Sequence, residues 1–156
     1  MAIRFMDGFD QFTNAISALT ALQAAGYSAS GTIGFDLGRT GTTLAVRIGN
    51  GTTGGTLGRT FTSAQQKVIL GFAYMAANNR ANIVQLASGF TLNWNTTSGK
   101  IEINGNAGVA TIVLGVYYYF EIVIDKVLSE IRVYINNELD LTVGLPGPMA
   151  AMTSYA

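Results

Sequence analysis

The sequence predicts an all-β protein: a two-sheet antiparallel jelly-roll sandwich with one short helix near the N-terminus. After Gly26 the apolar residues alternate with polar ones at a period of two, which is typical of half-buried strands. Glycine, asparagine, threonine and serine interrupt this pattern at nearly every gap, at the spacing of strands in a sandwich. Only the stretch before Gly26 has apolar residues at helical spacing.

The helix is expected over Asp10–Ala25, with Asp10 as its cap and Gly26 closing its end. Four apolar residues recur at helical spacing and would lie on one face: Phe12, Ile16, Leu19 and Leu22. A helix with one apolar face normally lies on a sheet.

The strands follow in quick succession after the helix. The predicted segments are Tyr27–Asp36, Thr42–Ile48, Thr56–Phe61, Lys67–Met75, Asn82–Ala87, Phe90–Asn95, Lys100–Asn104, Ala110–Val116, Tyr118–Asp125, Ile131–Ile135 and Leu139–Val143. Their inward-facing residues should form the core: Phe72, Leu92, Trp94, Phe120, Ile122, Ile124, Val133 and Ile135.

Two hairpins are clear in the sequence. The first joins Phe90–Asn95 to Lys100–Asn104 through the turn Thr96–Gly99. The second turns at Asn136-Asn137, and asparagine tolerates the positive φ that a two-residue hairpin turn requires.

The predicted domain covers residues 1–145, and residues 146–156 form an extended C-terminal arm. Pro146 and Pro148 cannot donate to a strand ladder, so the arm should begin extended. The residues beyond them are apolar and nearly uncharged, and we expect them to dock on a neighbouring subunit rather than on their own sheet. The predicted interface residues are Met149, Met152, Tyr155, Tyr117 and Tyr119.

The amino-acid composition argues against several classes of function. Charged residues make up 12% of the chain, against about a quarter in ordinary soluble domains, and positive and negative charges balance. A chain without a basic run has no electrostatic footprint for nucleic acid. The chain has no histidine and no cysteine, which removes the commonest general base, the commonest metal ligand and any disulfide. Met1–Asp10 does not read as a signal peptide, and Val109–Phe120 is too short to span a membrane.

Two glycine-rich segments resemble nucleotide loops and are interpreted as turns. Gly49–Gly54 fits the dinucleotide spacing, but a strand rather than a helix follows it. Gly38–Thr43 lacks the lysine of a phosphate loop. No cofactor is therefore predicted.

Acidic residues are the remaining candidates for chemistry. Glu121 and Asp125 share a strand face but should lie about 14 Å apart, too far for a glycosidase pair. Glu102 paired with Glu121 across strands stays open. Asp7 and Asp10 could ligate calcium, although a turn and a helix cap account for them equally well. We predict no catalytic residue and no metal site.

Several segments resemble a known family. Met6–Asp10 followed by a helix ending at Gly26-Tyr27 is similar to the opening of small structural proteins from tailed bacteriophages. Gly58–Thr62 and Val68–Phe72 resemble their first long core strands. Tyr119–Asp125 followed by Ile131–Asn136 resembles the strand–turn–strand that closes a concanavalin A-like (laminin G-like) jelly roll.

The resemblance implies a virion component: a head decoration protein, or a tail, collar or fibre subunit, assembled in the bacterial cytoplasm. Its partners would be other virion proteins and copies of itself, with neither nucleic acid nor membrane involved. The alternative is a carbohydrate-binding module for host attachment, for which the mark would be aromatic residues clustered on one exposed face. The chain departs from the family after the last hairpin, where a further strand usually follows.

Overall fold

The computed structural model describes residues 2–6, 18–37, 44–48, 55–76, 82–85, 90–145 and 152–155. Over these residues the fold is all-β, with antiparallel sheets in a jelly-roll-like sandwich and one short helix, as the sequence predicts. The chain divides into two compact units, Met1–Met6 with Phe61–Tyr155 and Asp7–Thr60 with Ala156, where the sequence analysis placed one domain over residues 1–145.

The described elements in chain order are β1 (Ala2–Met6), α1 (Ala18–Ala24), β2 (Ser28–Gly31), β3 (Ile33–Leu37), β4 (Leu44–Ile48), β5 (Gly55–Gln65), β6 (Lys67–Met75), β7 (Asn82–Gln85), β8 (Thr91–Trp94), β9 (Lys100–Ile103), β10 (Asn106–Thr111), β11 (Tyr117–Asp125), β12 (Glu130–Ile135), β13 (Glu138–Gly144) and β14 (Met152–Tyr155).

The first unit contains the sandwich. One sheet has the order β1-β6-β11-β12-β13 and the other the order β10-β9-β8-β7. Neighbouring strands are antiparallel except that β1 runs parallel to β6. The longest ladder joins β6 to β11 and pairs Lys67 with Asp125 at one end and Met75 with Tyr117 at the other.

The core lies between these two sheets, because alternate residues of each strand point inward. Seven of the eight predicted core residues are buried: Leu92, Trp94, Phe120, Ile122, Ile124, Val133 and Ile135. The eighth, Phe72, is half-buried and stacks on Phe120 with ring centroids 5.6 Å apart. Tyr74 meets Phe120 edge-on, and burial raises the pKa of its hydroxyl.

Both predicted hairpin turns are present. Asn136 and Asn137 have φ of 52° and 71°, which is the conformation that favoured asparagine in the sequence analysis. In the other turn, Asn95 Oδ1 accepts hydrogen bonds from the backbone N–H groups of Thr97 and Ser98, and Gly99 takes a φ of 71°.

The second unit holds α1, the β3–β4 hairpin and the pairing of β2 with β5. Helix α1 ends as predicted, with Gly26 at a φ of 84° and the Tyr27 N–H bonded to the Leu22 carbonyl. Leu22 is fully buried. The start of the predicted helix, over residues 10–17, lies outside the described residues.

Three predictions about strands need correction or extension. Strand β1 was not predicted. Ala110–Val116 is not a strand, because β10 ends at Thr111 and Val113–Val116 forms a turn. Strand β14 lies beside β5 of the same chain, where the sequence analysis favoured a neighbouring subunit. A segment of the same chain reaches the free edge of β5 at a higher effective concentration than a separate subunit does, which accounts for the intrachain pairing.

Candidate functional site

Asp125 connects β6, β11 and the turn after β11 at one end of the five-stranded sheet. Its Oδ2 accepts a hydrogen bond from Lys67 Nζ at 2.7 Å, and its Oδ1 accepts the backbone N–H groups of Val127 and Leu128. The hydrogen bond from Lys67 is the largest cause that lowers the pKa of this carboxyl. Every oxygen of Asp125 is engaged in holding the strand and its turn, so it has a structural role.

Asp140 joins the two sheets where β13 and β10 meet. A bulge between Ala107 and Thr111 turns the middle of β10 away from β9. The freed N–H groups of Val109 and Ala110 donate to Asp140 Oδ1 instead. The carboxylate therefore replaces the ladder partners that the bulge removes, and it connects the edge strands of both sheets.

The carboxylate pair left open by the sequence is not present. Glu102 lies in the four-stranded sheet between buried Ile101 and Ile103, whereas Glu121 lies in the five-stranded sheet between buried Phe120 and Ile122. The two carboxylates thus face outward from opposite sides of the sandwich, whose sheets alone are about 10 Å apart. The possibility that they share a sheet is wrong, and no glycosidase geometry results.

Three tyrosines cluster on the outward face of the five-stranded sheet. Tyr117 and Tyr119 alternate with inward residues of β11, and Tyr134 pairs across the strand with Glu121. All three tyrosines are half-buried. Arg132 lies two residues before Tyr134, and hydrogen bonding to Tyr134 raises the pKa of its guanidinium. We call these tyrosines the tyrosine face.

Several exposed aliphatic side chains lie at the end of the sandwich where β11 begins. The exposed fractions of Val113, Leu114 and Val116 are 53%, 46% and 44%. The Gly115 N–H bonds to the Ala76 carbonyl, which places this turn beside the exposed Met75 at the end of β6. We call Met75 and Val113–Val116 the aliphatic turn.

The aliphatic turn was missed in the sequence because its residues resemble the end of a buried strand. Surface turns are normally built from glycine, proline, asparagine, aspartate and serine. Gly115, with a φ of 74°, was the available signal that the strand stops and a turn begins. The exposed fractions of these side chains make the aliphatic turn a candidate contact surface.

The structure describes some of the other predicted site residues, and the rest lie outside the described residues. Tyr117 and Tyr119 are on the tyrosine face, as described above. Met152 and Tyr155 belong to β14. Met149 lies outside the described residues, as do Asp7, Asp10 and the glycine-rich segments 38–43 and 49–54.

The described part of the chain offers no metal centre and no membrane-spanning helix. Histidine, cysteine, aspartate and glutamate form no group of three or more there that could hold an ion. None of the helices found there is long and apolar enough to cross a bilayer.

Comparison with known proteins finds a solved structure with a similar fold. A sialidase of known structure matches with a TM-score of 0.54 and 18% identity over 64% of this chain. The match spans 10% of the sialidase chain, so it involves a small part of that protein. No family model matches the sequence, and no curated protein does. The likeness supports the β-sandwich and says nothing of activity.

Proposed function

We propose that this chain is a structural, non-enzymatic component of a bacteriophage virion, either a head decoration protein or a tail, collar or fibre subunit. It acts by packing against other virion proteins and copies of itself, without a cofactor. The observation that carries the proposal is the aliphatic turn, an exposed surface of four aliphatic side chains without charge. The resemblance of the sequence to phage structural proteins is the reason for proposing that the assembly is a virion.

The chemistry of the carboxylates supports a packing role. Asp125 and Asp140 are both buried and both hold backbone N–H groups. Glu102 accepts a hydrogen bond from Asn95 Nδ2 at 2.7 Å and faces away from Glu121. Acidic groups with these roles build a scaffold, and these four carboxylates do not form a pair poised for hydrolysis.

The size of the aliphatic turn suits a contact that is repeated many times. Covering the exposed half of each aliphatic side chain contributes about 1 kcal/mol, or about 4 kcal/mol for Met75, Val113, Leu114 and Val116 together. The loss of translational and rotational freedom on association offsets a gain of this size, so a single copy of the contact is weak. Repetition around a symmetric shell or tube converts such a weak contact into stable assembly.

A charge placed in the aliphatic turn should weaken assembly strongly. Leu114→Glu is expected to lower incorporation into particles at least about tenfold, because a buried unpaired carboxylate is costly. The thermal midpoint of the isolated protein should shift by less than about 2 °C, since Leu114 is half-exposed. The measurement is the amount of variant that co-purifies with particles. The charge-matched control is Thr97→Glu, at an exposed position in the turn between β8 and β9, and this variant should assemble normally.

A carbohydrate-binding module for host attachment is the second candidate, and the tyrosine face supports it. Aromatic residues clustered on one outward face are the feature expected of a sugar-stacking platform. Tyr117, Tyr119 and Tyr134 form such a cluster, with Glu121 and Arg132 beside them as polar groups.

A glycan array tests this second candidate. If the tyrosine face binds sugar, Tyr119→Ala should weaken binding about tenfold through lost stacking, whereas Tyr119→Phe should retain it. Absence of binding to any glycan by the wild-type protein would contradict the carbohydrate function and leave the packing function standing.

A further inference from the structure

A small cleft lies where the β12–β13 hairpin meets β10. It is lined by Val109, Ala110, Ile135, Glu138, Leu139 and Asp140 and has a volume of about 150 Å³. Drug-sized ligands need at least about 300 Å³, so this cleft has room for a single side chain. Its rim is apolar, because 78% of Val109 and 55% of Leu139 is exposed.

The cleft is also negatively charged. Glu138 and Asp140 both line it, and Glu138 is exposed whereas Asp140 is buried. Asp140 Oδ2 has no hydrogen-bond partner, and neither carboxylate forms an ion pair with a lysine or arginine in the described part of the chain. The charge of the cleft is therefore not neutralised by the described residues that surround it.

We propose that this cleft receives a lysine or arginine side chain from a neighbouring protein subunit. The aliphatic stem would pack against Val109 and Leu139, and the cationic end would pair with Glu138 in the field of Asp140. Long basic side chains bury their methylene groups along apolar surface while the charge stays near water, which matches an apolar rim beside an exposed carboxylate. That the side chain comes from a neighbouring subunit rests on the packing function proposed above. The fit between a basic side chain and the cleft does not depend on that function.

Charge complementarity separates this occupant from the others. A wholly apolar side chain would leave Glu138 and Asp140 without a counter-charge, and an acidic one would be repelled by both. A basic side chain satisfies both the apolar rim and the charge.

The test uses two blocked amino acids as probes, N-acetyl-lysine methylamide and N-acetyl-norleucine methylamide, which differ in the ammonium group. Titrated into the isotope-labelled protein, the lysine probe should shift the amide resonances of Val109, Ala110 and Leu139 and bind about fivefold more tightly than the norleucine probe. Glu138→Gln should remove this preference. Glu130→Gln is the matched control, because Glu130 is paired with Arg132 at 2.6 Å, away from the cleft, and its loss should leave the preference intact.

The outcomes are distinct from those of the assembly experiment. Equal affinity for the two probes, shifts confined to other residues, or an unchanged preference in Glu138→Gln would each overturn the proposed cleft occupant. If the probes behave as expected while Leu114→Glu still assembles, the cleft is supported and the aliphatic turn is not the assembly contact. If the probe preference is absent while Leu114→Glu fails to assemble, the packing function stands without the cleft.

Discussion

Gly108→Ala is expected to lower the free energy of unfolding by about 3 kcal/mol, the largest effect of any substitution considered for this protein. A Cβ atom at Gly108 would overlap Asp140 Oδ2, lie 2.8 Å from Asp140 Cγ and lie 3.0 Å from Ile101 Cγ1. Ile101 is fully buried and cannot move aside. Asp140 would have to give up the N–H groups of Val109 and Ala110, so the connection between the two sheets would be lost.

Chemical denaturation measures this effect, and two further variants control it. Gly144→Ala should change stability by less than about 0.5 kcal/mol, because no atom lies within 4 Å of the added Cβ. In the double variant Gly108→Ala/Asp140→Ala the overlap with Asp140 is gone and only the 3.0 Å approach to Ile101 Cγ1 remains, so it should be within about 1 kcal/mol of Asp140→Ala alone. Additive losses in the double variant would show that the cost at Gly108 does not arise from Asp140.

Asp125→Asn is expected to cost about 2 kcal/mol of stability. Asp125 is 5% exposed and accepts hydrogen bonds from Lys67, Val127 and Leu128. Breaking a fully buried pair costs about 3–5 kcal/mol, and the partial exposure of the Lys67 side chain reduces the expected loss. The matched control is Asp36→Asn, whose partner Arg47 lies at 3.5 Å with both side chains 52% exposed, and it should cost less than about 0.5 kcal/mol.

The same residue predicts a pH dependence. The pKa of Asp125 is lowered in the folded protein, chiefly by the hydrogen bond from Lys67, so its contribution is present above the unfolded-state pKa. That contribution is lost as the pH falls below the ordinary aspartate range and through the lowered folded-state pKa. The stability difference between wild type and Asp125→Asn should therefore shrink over this range. A difference that stays constant down to pH 2 would contradict the role of the Asp125 charge.

The alternation of apolar and polar residues predicted the strands of the sandwich, because it indicates which residues of each strand are buried. Lys67–Met75 has the predicted bounds, and Phe120, Ile122 and Ile124 face the core, since period-two alternation directly encodes which side of a strand is buried. The asparagine turn at Asn136-Asn137 was also readable, because few residues adopt positive φ at low cost.

Features that depend on distant partners could not be predicted. The sequence does not show that β1 runs beside β6 or that β14 lies next to β5, because each pairing joins segments that are far apart in the chain. Asp140 reads as an ordinary polar residue of a hairpin until the bulge in β10 brings backbone N–H groups to it. The aliphatic turn could not be predicted for a different reason. A run of valine and leucine is typical of a buried strand, and only the structure shows that the chain turns there.

Amide hydrogen exchange, compared between assembled particles and the isolated protein, is the most direct test of an assembly contact at the aliphatic turn. Assembly should slow exchange at Val113, Leu114 and Val116 and at Met75 by about tenfold or more, because covering this surface suppresses its local opening. The turn Thr96–Gly99, used as the internal reference, should exchange at the same rate in both states. Unchanged exchange at the aliphatic turn in particles that contain the protein would contradict the account.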